Sequence, residues 1–322
     1  MPRPRTPMAW LLEENQPSIR YLAMTQLLDK EETDQEVVDA KRMIPKTGWA
    51  AEILRNQSPE GWWVEGTSLY RPKYISTNWM LLILSDLGLT KSEPRIRKAC
   101  ELWIERLAKK DGGFGSERWS NGHLCTTGNT ARALVKFGYA DHPKVKRALD
   151  WLVNNQAPKG GWSCFGSGRN LDSWEPMSAF AALPRQKWNK SITQAVEKGA
   201  EFFLERDLHK QGRRYKPWYR FHYPVHYYYD MLVGLGFMTA LGYGDDRRSG
   251  YAIQLLKKKR RRDGRWNLDA THPDVEGGMA EWFRKHPKDK PISFSLERPG
   301  YPSKMITLSA MRILNARPQS SS

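Results

Sequence analysis

A glycine beside an aromatic residue returns along this chain at a nearly constant interval. The copies are Gly61-Trp62 in NQSPEGWW, Gly113-Phe114 in KKDGGFG, Gly161-Trp162 in NNQAPKGGW, and Trp266 in RRRDGRW. The aromatic positions 62, 114, 162 and 266 lie 52, 48 and 104 residues apart, and the last gap is two periods. Its midpoint falls near Tyr215 in HKQGRRY, a degraded copy. Five markers about fifty residues apart mean one supersecondary unit used repeatedly, each copy burying its apolar face on its neighbours.

Each period holds the same two segments. The first is apolar around most of its circumference: 77–87, 127–137, 174–183, 228–241 and 305–314. Several end at Gly88, Gly138 or Gly242, where glycine supplies a left-handed helix stop. The second is charged and amphipathic, with apolar residues at i, i+3, i+4 and i+7: 96–107, 145–156, 192–206 and 248–259. Strand signals are nearly absent. Helices that are apolar all round are buried on both sides. The pattern therefore predicts an all-α toroid, with an inner ring of helices wrapped by an outer ring. Residues 1–45 lack the marker but carry helical patterns at 19–28 and 34–43. They are expected to form an N-terminal helical extension packed on a ring spanning 46–317, with 318–322 a disordered tail.

The turns LVNNQAPKGGWSCFG and IERLAKKDGGFGS, each closing an amphipathic helix, resemble the repeats of the α/α-toroid superfamily. That superfamily holds the squalene and terpene cyclases and the β subunits of protein prenyltransferases. The resemblance covers roughly 46–317 and implies the toroid fold. Fold alone does not carry the chemistry. Squalene-type cyclases protonate substrate with an Asp-x-Asp-Asp motif, and this chain has none; Asp269 and Asp274 in LDATHPD do not make one. Prenyltransferase β subunits hold zinc with an Asp-x-Cys pair and a later His, and they need a partner subunit. Asp-x-Cys is absent too, and His123-Leu-Cys125 stands nearby. Zinc and a partner subunit thus remain open expectations.

Lys plus Arg number 52 against 35 Asp plus Glu, a net charge of +17. Such a field favours anionic partners without choosing among them. The densest run, KKKRRR at 257–262, ends an outer helix and reads as a solvated face, so no specific nucleic acid is expected. No apolar run approaches the ~18 residues of a membrane span. Three scattered cysteines make no disulfide scaffold, and no signal-peptide core follows the start. The expected location is cytoplasmic.

If inner helices alternate with outer ones, all inner helices run the same way and their N-termini share one rim. Those ends carry partial positive charge and favour an anion. Cys125 and Cys164 fall at that rim in consecutive repeats, with His222 and His226 at the next, a ligand set suited to zinc. Without metal, His226 and Asp230 share a face if their helix begins early, and Tyr228 stands beside them for acid–base work. Lys73, Tyr74, Trp79, Asn129, Trp174, Tyr227 and Lys304 are the expected substrate contacts, cations for an anionic head and aromatics for a tail or ring. The leading expectation is a prenyltransferase- or terpene-cyclase-like enzyme binding an anionic, apolar-tailed small molecule of the isoprenoid diphosphate type. The alternatives are a lyase on acidic sugars and a non-catalytic scaffold with a basic surface.

Overall fold

The computed structural model describes residues 6–64, 68–164, 170–210, 215–226, 228–271, 284–285 and 296–316. Tyr227 and the tail 318–322 lie outside the described residues. Within them the chain is helical, with thirteen α-helices and isolated bridges in place of strands.

Six helices are buried on most sides. They are α2 (Pro17–Leu27), α5 (Thr77–Asp86), α7 (Leu124–Lys136), α9 (Glu175–Ala182), α11 (Met231–Ala240) and α13 (Lys304–Asn315). In α5 every residue from Thr77 to Ser85 is buried. Six others bury one stripe: α3 (Gln35–Met43), α4 (Gly48–Arg55), α6 (Pro94–Leu107), α8 (Pro143–Asn154), α10 (Lys190–Leu204) and α12 (Gly250–Lys258). In α8 the core residues Val145, Ala148, Leu149 and Leu152 follow the i, i+3, i+4, i+7 rule. The architecture is the α/α toroid the sequence predicts, and short α1 (Pro7–Leu11) lies against α2 and α13.

The inner helices run parallel, because their starts meet at one end and their finishes at the other. Trp79 near the start of α5 touches His226 just before α11. At the far end, Lys136 closing α7 reaches Asp86 closing α5 at 2.6 Å. Arg185, just past α9, donates to the Leu241 carbonyl just past α11. The ring closes through α2, which lies beside α13 and sets Tyr21 against Gly88 beyond α5. So α2, inside the stretch 1–45, is a wall of the central cavity.

The repeated aromatic is a two-way latch. Its indole N–H donates to the outer-helix carbonyl ten residues earlier: Trp63 to Ile53 at 2.7 Å, Trp162 to Leu152 at 2.9 Å, Trp266 to Leu256 at 2.7 Å. Its backbone N–H donates to a fully buried threonine on the next inner helix: Trp63 to Thr77, Phe114 to Thr127, Trp266 to Thr307. Trp63 and Trp266 make both contacts and so tie one outer helix to the following inner helix, whereas Phe114 makes only the threonine contact and Trp162 only the indole one. Two positions differ from the sequence reading. In the first copy Trp63, not Trp62, holds the latch, since Trp62 stays half-buried. Tyr215 occupies no such place; it is 42% exposed and lies edge-on to Trp218.

Two helix starts also differ, and both move chemistry. α7 begins at Leu124, three residues before the expected 127, which puts Cys125 in its first turn. α11 begins at Met231 rather than 228, because Asp230 is its N-cap and accepts from Val233 N–H at 2.8 Å.

Candidate functional site

The ring encloses a cavity of about 350 Å³, within the usual range for small-molecule sites. Leu22, Leu232, Phe237, Met305, Ile306 and Leu308 give it apolar walls. Toward the C-terminal ends of the inner helices it carries Arg132, Lys136 and Arg312, with Asp86 its one acidic side chain among the described residues. Asp86 accepts from Lys136 at 2.6 Å and lies 3.4 Å from Arg132. Burial alone would raise the Asp86 pKa, but the Arg132 and Lys136 charges outweigh it and hold the carboxyl below its ordinary value. Burial, with Arg132 and Arg312 nearby, pushes the Lys136 ammonium below its ordinary pKa despite Asp86. Lys136 keeps 37% of its side chain exposed, so this group stands where solvent reaches the cavity. Arg312 donates to the Gln26 amide oxygen at 3.3 Å. The Nε and Nη2 of buried Arg132 have no hydrogen-bond partner among the described residues.

A histidine and a carboxylate stand toward the starts of the same helices. His222 donates its Nδ1–H to Asp230 Oδ2 at 2.5 Å, and its backbone N–H goes to the same oxygen at 3.0 Å. Both residues are buried, and His222 lines the cavity. The carboxylate fixes the tautomer, leaving Nε2 as the basic lone pair. That nitrogen is buried with no partner among the described residues. The late start of α11 makes this pair: Asp230 caps the helix and turns to His222, so the expected His226–Asp230 pairing does not form. Tyr228 lies edge-on to His222 at 5.0 Å, its hydroxyl 3.5 Å from that of Tyr215.

A second constellation joins two repeats. His123 caps the start of α7, Cys125 follows in its first turn, and Cys164 comes from the turn after the Trp162 latch. His123 Nδ1 lies 3.2 Å from Cys125 Sγ and 3.5 Å from Cys164 Sγ. All three side chains are half-buried. Between the thiols, the Cys125 hydrogen bond favours ionisation of Cys164 against the cost of burial, and His123 adds to the effect. The same pairing, with burial, pushes Cys125 up. Next to it, α7 and α9 touch at Gly128, where a Cβ would come 2.6 Å from Glu175 Cβ. Burial, first, and nearby Cys164 hold the Glu175 carboxyl well above its ordinary pKa. Neither of its oxygens has a hydrogen-bond partner among the described residues.

The expected site residues therefore separate. Cys125 and Cys164 do come together, but the histidine with them is His123; His222 pairs with Asp230 instead. His226 is buried between Tyr74 and Trp79, with ring centroids 5.2 and 5.1 Å away, and its carbonyl accepts from Asn129 at 2.7 Å. Trp174 lines the cavity with the Arg132 guanidinium 5.8 Å above its ring. Lys73 is half-buried in the loop before α5. Lys304 does not stand as an anion-holding cation at the rim, because its ammonium donates to Glu13 at 2.9 Å and to the Trp10 carbonyl at 2.6 Å. Arg132, Lys136, Arg312 and Asp86 were not among the expected residues. They lie late in α5, α7 and α13, at the opposite ends of the inner helices from the expected rim. The 257–262 run is exposed except for Lys259, which pairs with Asp269 at 2.7 Å. Among the described residues no helix is long and apolar enough to cross a membrane.

Comparison with known proteins places these repeats. A model of the squalene-hopene cyclase C-terminal domain matches residues 22–164. The squalene–hopene cyclase of Bradyrhizobium diazoefficiens is 30% identical over 151 residues, 43% of this chain and 21% of that protein. The probable squalene–hopene cyclase of Sinorhizobium fredii is 33% identical over 124 residues, covering 35% and 18%. The type B diterpene cyclase of Mycobacterium tuberculosis is 32% identical over 93 residues, covering 28% and 18%. The matched stretches thus span about a fifth of these relatives' own length. Among solved structures, a protein from Actinoplanes aligns over 94% of this chain and 89% of its own at 16% identity and TM-score 0.47. Over 22–164 the repeats are thus similar to those of the squalene/terpene cyclase α/α-toroid superfamily.

Proposed function

We propose that this protein is a terpene-cyclase-like enzyme whose central cavity holds a molecule with an anionic head and an apolar tail. An isoprenoid diphosphate is the class that fits. The observation that carries this reading is the set Arg132, Lys136 and Arg312 facing one carboxylate, Asp86. Three cations against one anion leave an excess of two positive charges in a partly enclosed cleft, which attracts an anion strongly. The unbonded nitrogens of Arg132 suit a planar, two-pronged contact with phosphate oxygens. The apolar walls then receive the chain.

Chemistry at such a substrate breaks the carbon–oxygen bond, and the electron pair leaves on the diphosphate. The three cations stabilise that leaving group. Trp174, Tyr223 and Phe237 in the lining supply π-faces for the allylic cation left behind. When the cation is quenched by loss of a proton, or by an acceptor that loses one, His222 Nε2 takes that proton, with Asp230 steadying the imidazolium. This is the transferase branch of the reading. The lyase branch is weaker, because its base was His226 beside Asp230, and Asp230 serves His222.

Calorimetric titration with farnesyl diphosphate, farnesol and inorganic pyrophosphate tests this. The ester is expected to bind far more tightly than either half. Equal affinity for farnesol and its diphosphate would refute the anionic head.

A further inference from the structure

We propose that His123, Cys125 and Cys164 form a mononuclear site for a borderline-to-soft divalent metal, with Zn²⁺ the best fit and a fourth position left for an exogenous ligand. The three ligand atoms all lie within 4.8 Å of one another. In a tetrahedral zinc centre, bonds of about 2.3 Å to sulfur and 2.0–2.1 Å to nitrogen place sulfur and nitrogen about 3.5 Å apart. Here the sulfur–nitrogen distances are 3.2 and 3.5 Å to Nδ1 and 3.8 Å from Cys164 to Nε2. The side chains are therefore already spaced around one ion, and filling the site needs adjustments of tenths of an ångström.

The chemistry of the donors agrees with the spacing. Two thiolates balance the charge of a divalent ion, and neutral imidazole completes the set zinc prefers. All three cysteines are free, and Cys125 and Cys164 are the two that adjoin. The site is held from outside. The Trp119 ring stacks on His123 at 4.5 Å and 29°, and the Ser173 hydroxyl accepts the Cys164 backbone N–H at 3.2 Å. A second observation is independent of the cluster. Glu175, at the start of the adjoining α9, is 1% exposed and has two carboxyl oxygens with no hydrogen-bond partner among the described residues. A buried polar group without partners points to something the protein alone does not supply.

This site is distinct from the cationic cavity end. Cys125 and Lys136 stand at opposite ends of α7, eleven residues or about 16 Å apart. Failure of one assignment therefore leaves the other standing.

The test is metal content and cobalt spectroscopy on the full chain. Protein purified without chelator is expected to hold one zinc per chain by elemental mass spectrometry. Cys125→Ser, Cys164→Ser and His123→Ala should each lose it, while Cys100→Ser should keep it. Substituting Co²⁺ into the stripped wild type should give tetrahedral d–d bands and a thiolate charge-transfer band, both absent from either cysteine variant at the same cobalt concentration. The wild-type titration stands even if a variant fails to fold. No cobalt spectrum from folded wild type, or full zinc retention in Cys164→Ser, would overturn the site. So would a Cys125–Cys164 disulfide in freshly purified protein, seen as loss of two hydrogens and of two titratable thiols. Farnesyl diphosphate affinity is expected to survive in the metal-free protein.

Discussion

Lys136 and Asp86 stand one repeat apart, 50 residues in sequence, and meet at 2.6 Å where two parallel inner helices end. The pair leaves Arg132 and Arg312 to carry the cavity's excess charge. Replacing Arg132 with Gln should weaken farnesyl diphosphate binding by about 10- to 100-fold, the worth of one charge-assisted hydrogen bond of roughly 1.5–3 kcal/mol. Farnesol binding should hardly change. Isothermal titration of both ligands reads the contrast, and a parallel loss for farnesol would point to a collapsed cavity.

The same carboxylate makes acid stability predictable. Asp86 has a folded pKa below its unfolded one, set by Arg132 and Lys136 against burial. Its contribution is therefore present above the unfolded pKa, near ~3.9, and is lost as pH falls through the lower folded value. The stability gap between wild type and Asp86→Asn should be level around neutrality and shrink below about pH 4. Urea unfolding across that range measures it, and a gap that widens toward acid would reverse the sign argued here.

His222→Gln should cut turnover by about 10²–10⁴-fold while leaving diphosphate affinity near wild type, since the side chain is assigned to moving a proton. Asp230→Asn should lower turnover as well. It should also cost stability, because Asp230 accepts from His222 twice and from Val233 once. Single-turnover rates beside equilibrium binding separate the two roles.

The latch sets the scale of stability. Trp162→Ala should destabilise the fold by about 3–5 kcal/mol, through lost packing and the orphaned Leu152 carbonyl. Thr127→Val should cost about 1–3 kcal/mol, because its hydroxyl accepts from the Phe114 N–H and donates to the Phe114 carbonyl. Thr127→Ser should recover most of that. Chemical denaturation of the three variants checks the order.

The ring was legible in the sequence because repetition and apolar periodicity are local and survive without coordinates. The cysteines were legible too, since Cys125 and Cys164 occupy matching places in consecutive copies. Partners across the ring were not. Whether Asp230 faces His222 or His226 turns on where α11 begins, and a capping aspartate shifted that start by three residues. His123 was visible beside Cys125 but read as a neighbour in sequence, not a partner in space. The cations at the helix ends were not legible because the dipole argument singles out helix starts, whereas Lys136 and Arg312 lie late in their helices.

Closure of the ring has a consequence for how the chain reaches it. Most contacts are made within a repeat or between adjacent ones, so helix pairs can form early and locally. The final seam is of another kind: Lys304 reaches the Trp10 carbonyl across a separation of 294 residues, and α2 meets α13. Until that seam is made, the inner faces of the first and last helices lack their covering. That seam is the contact of highest sequence separation in the ring, the kind whose loop-closure entropy is the largest, and a chain that has not made it leaves apolar inner faces open to aggregation.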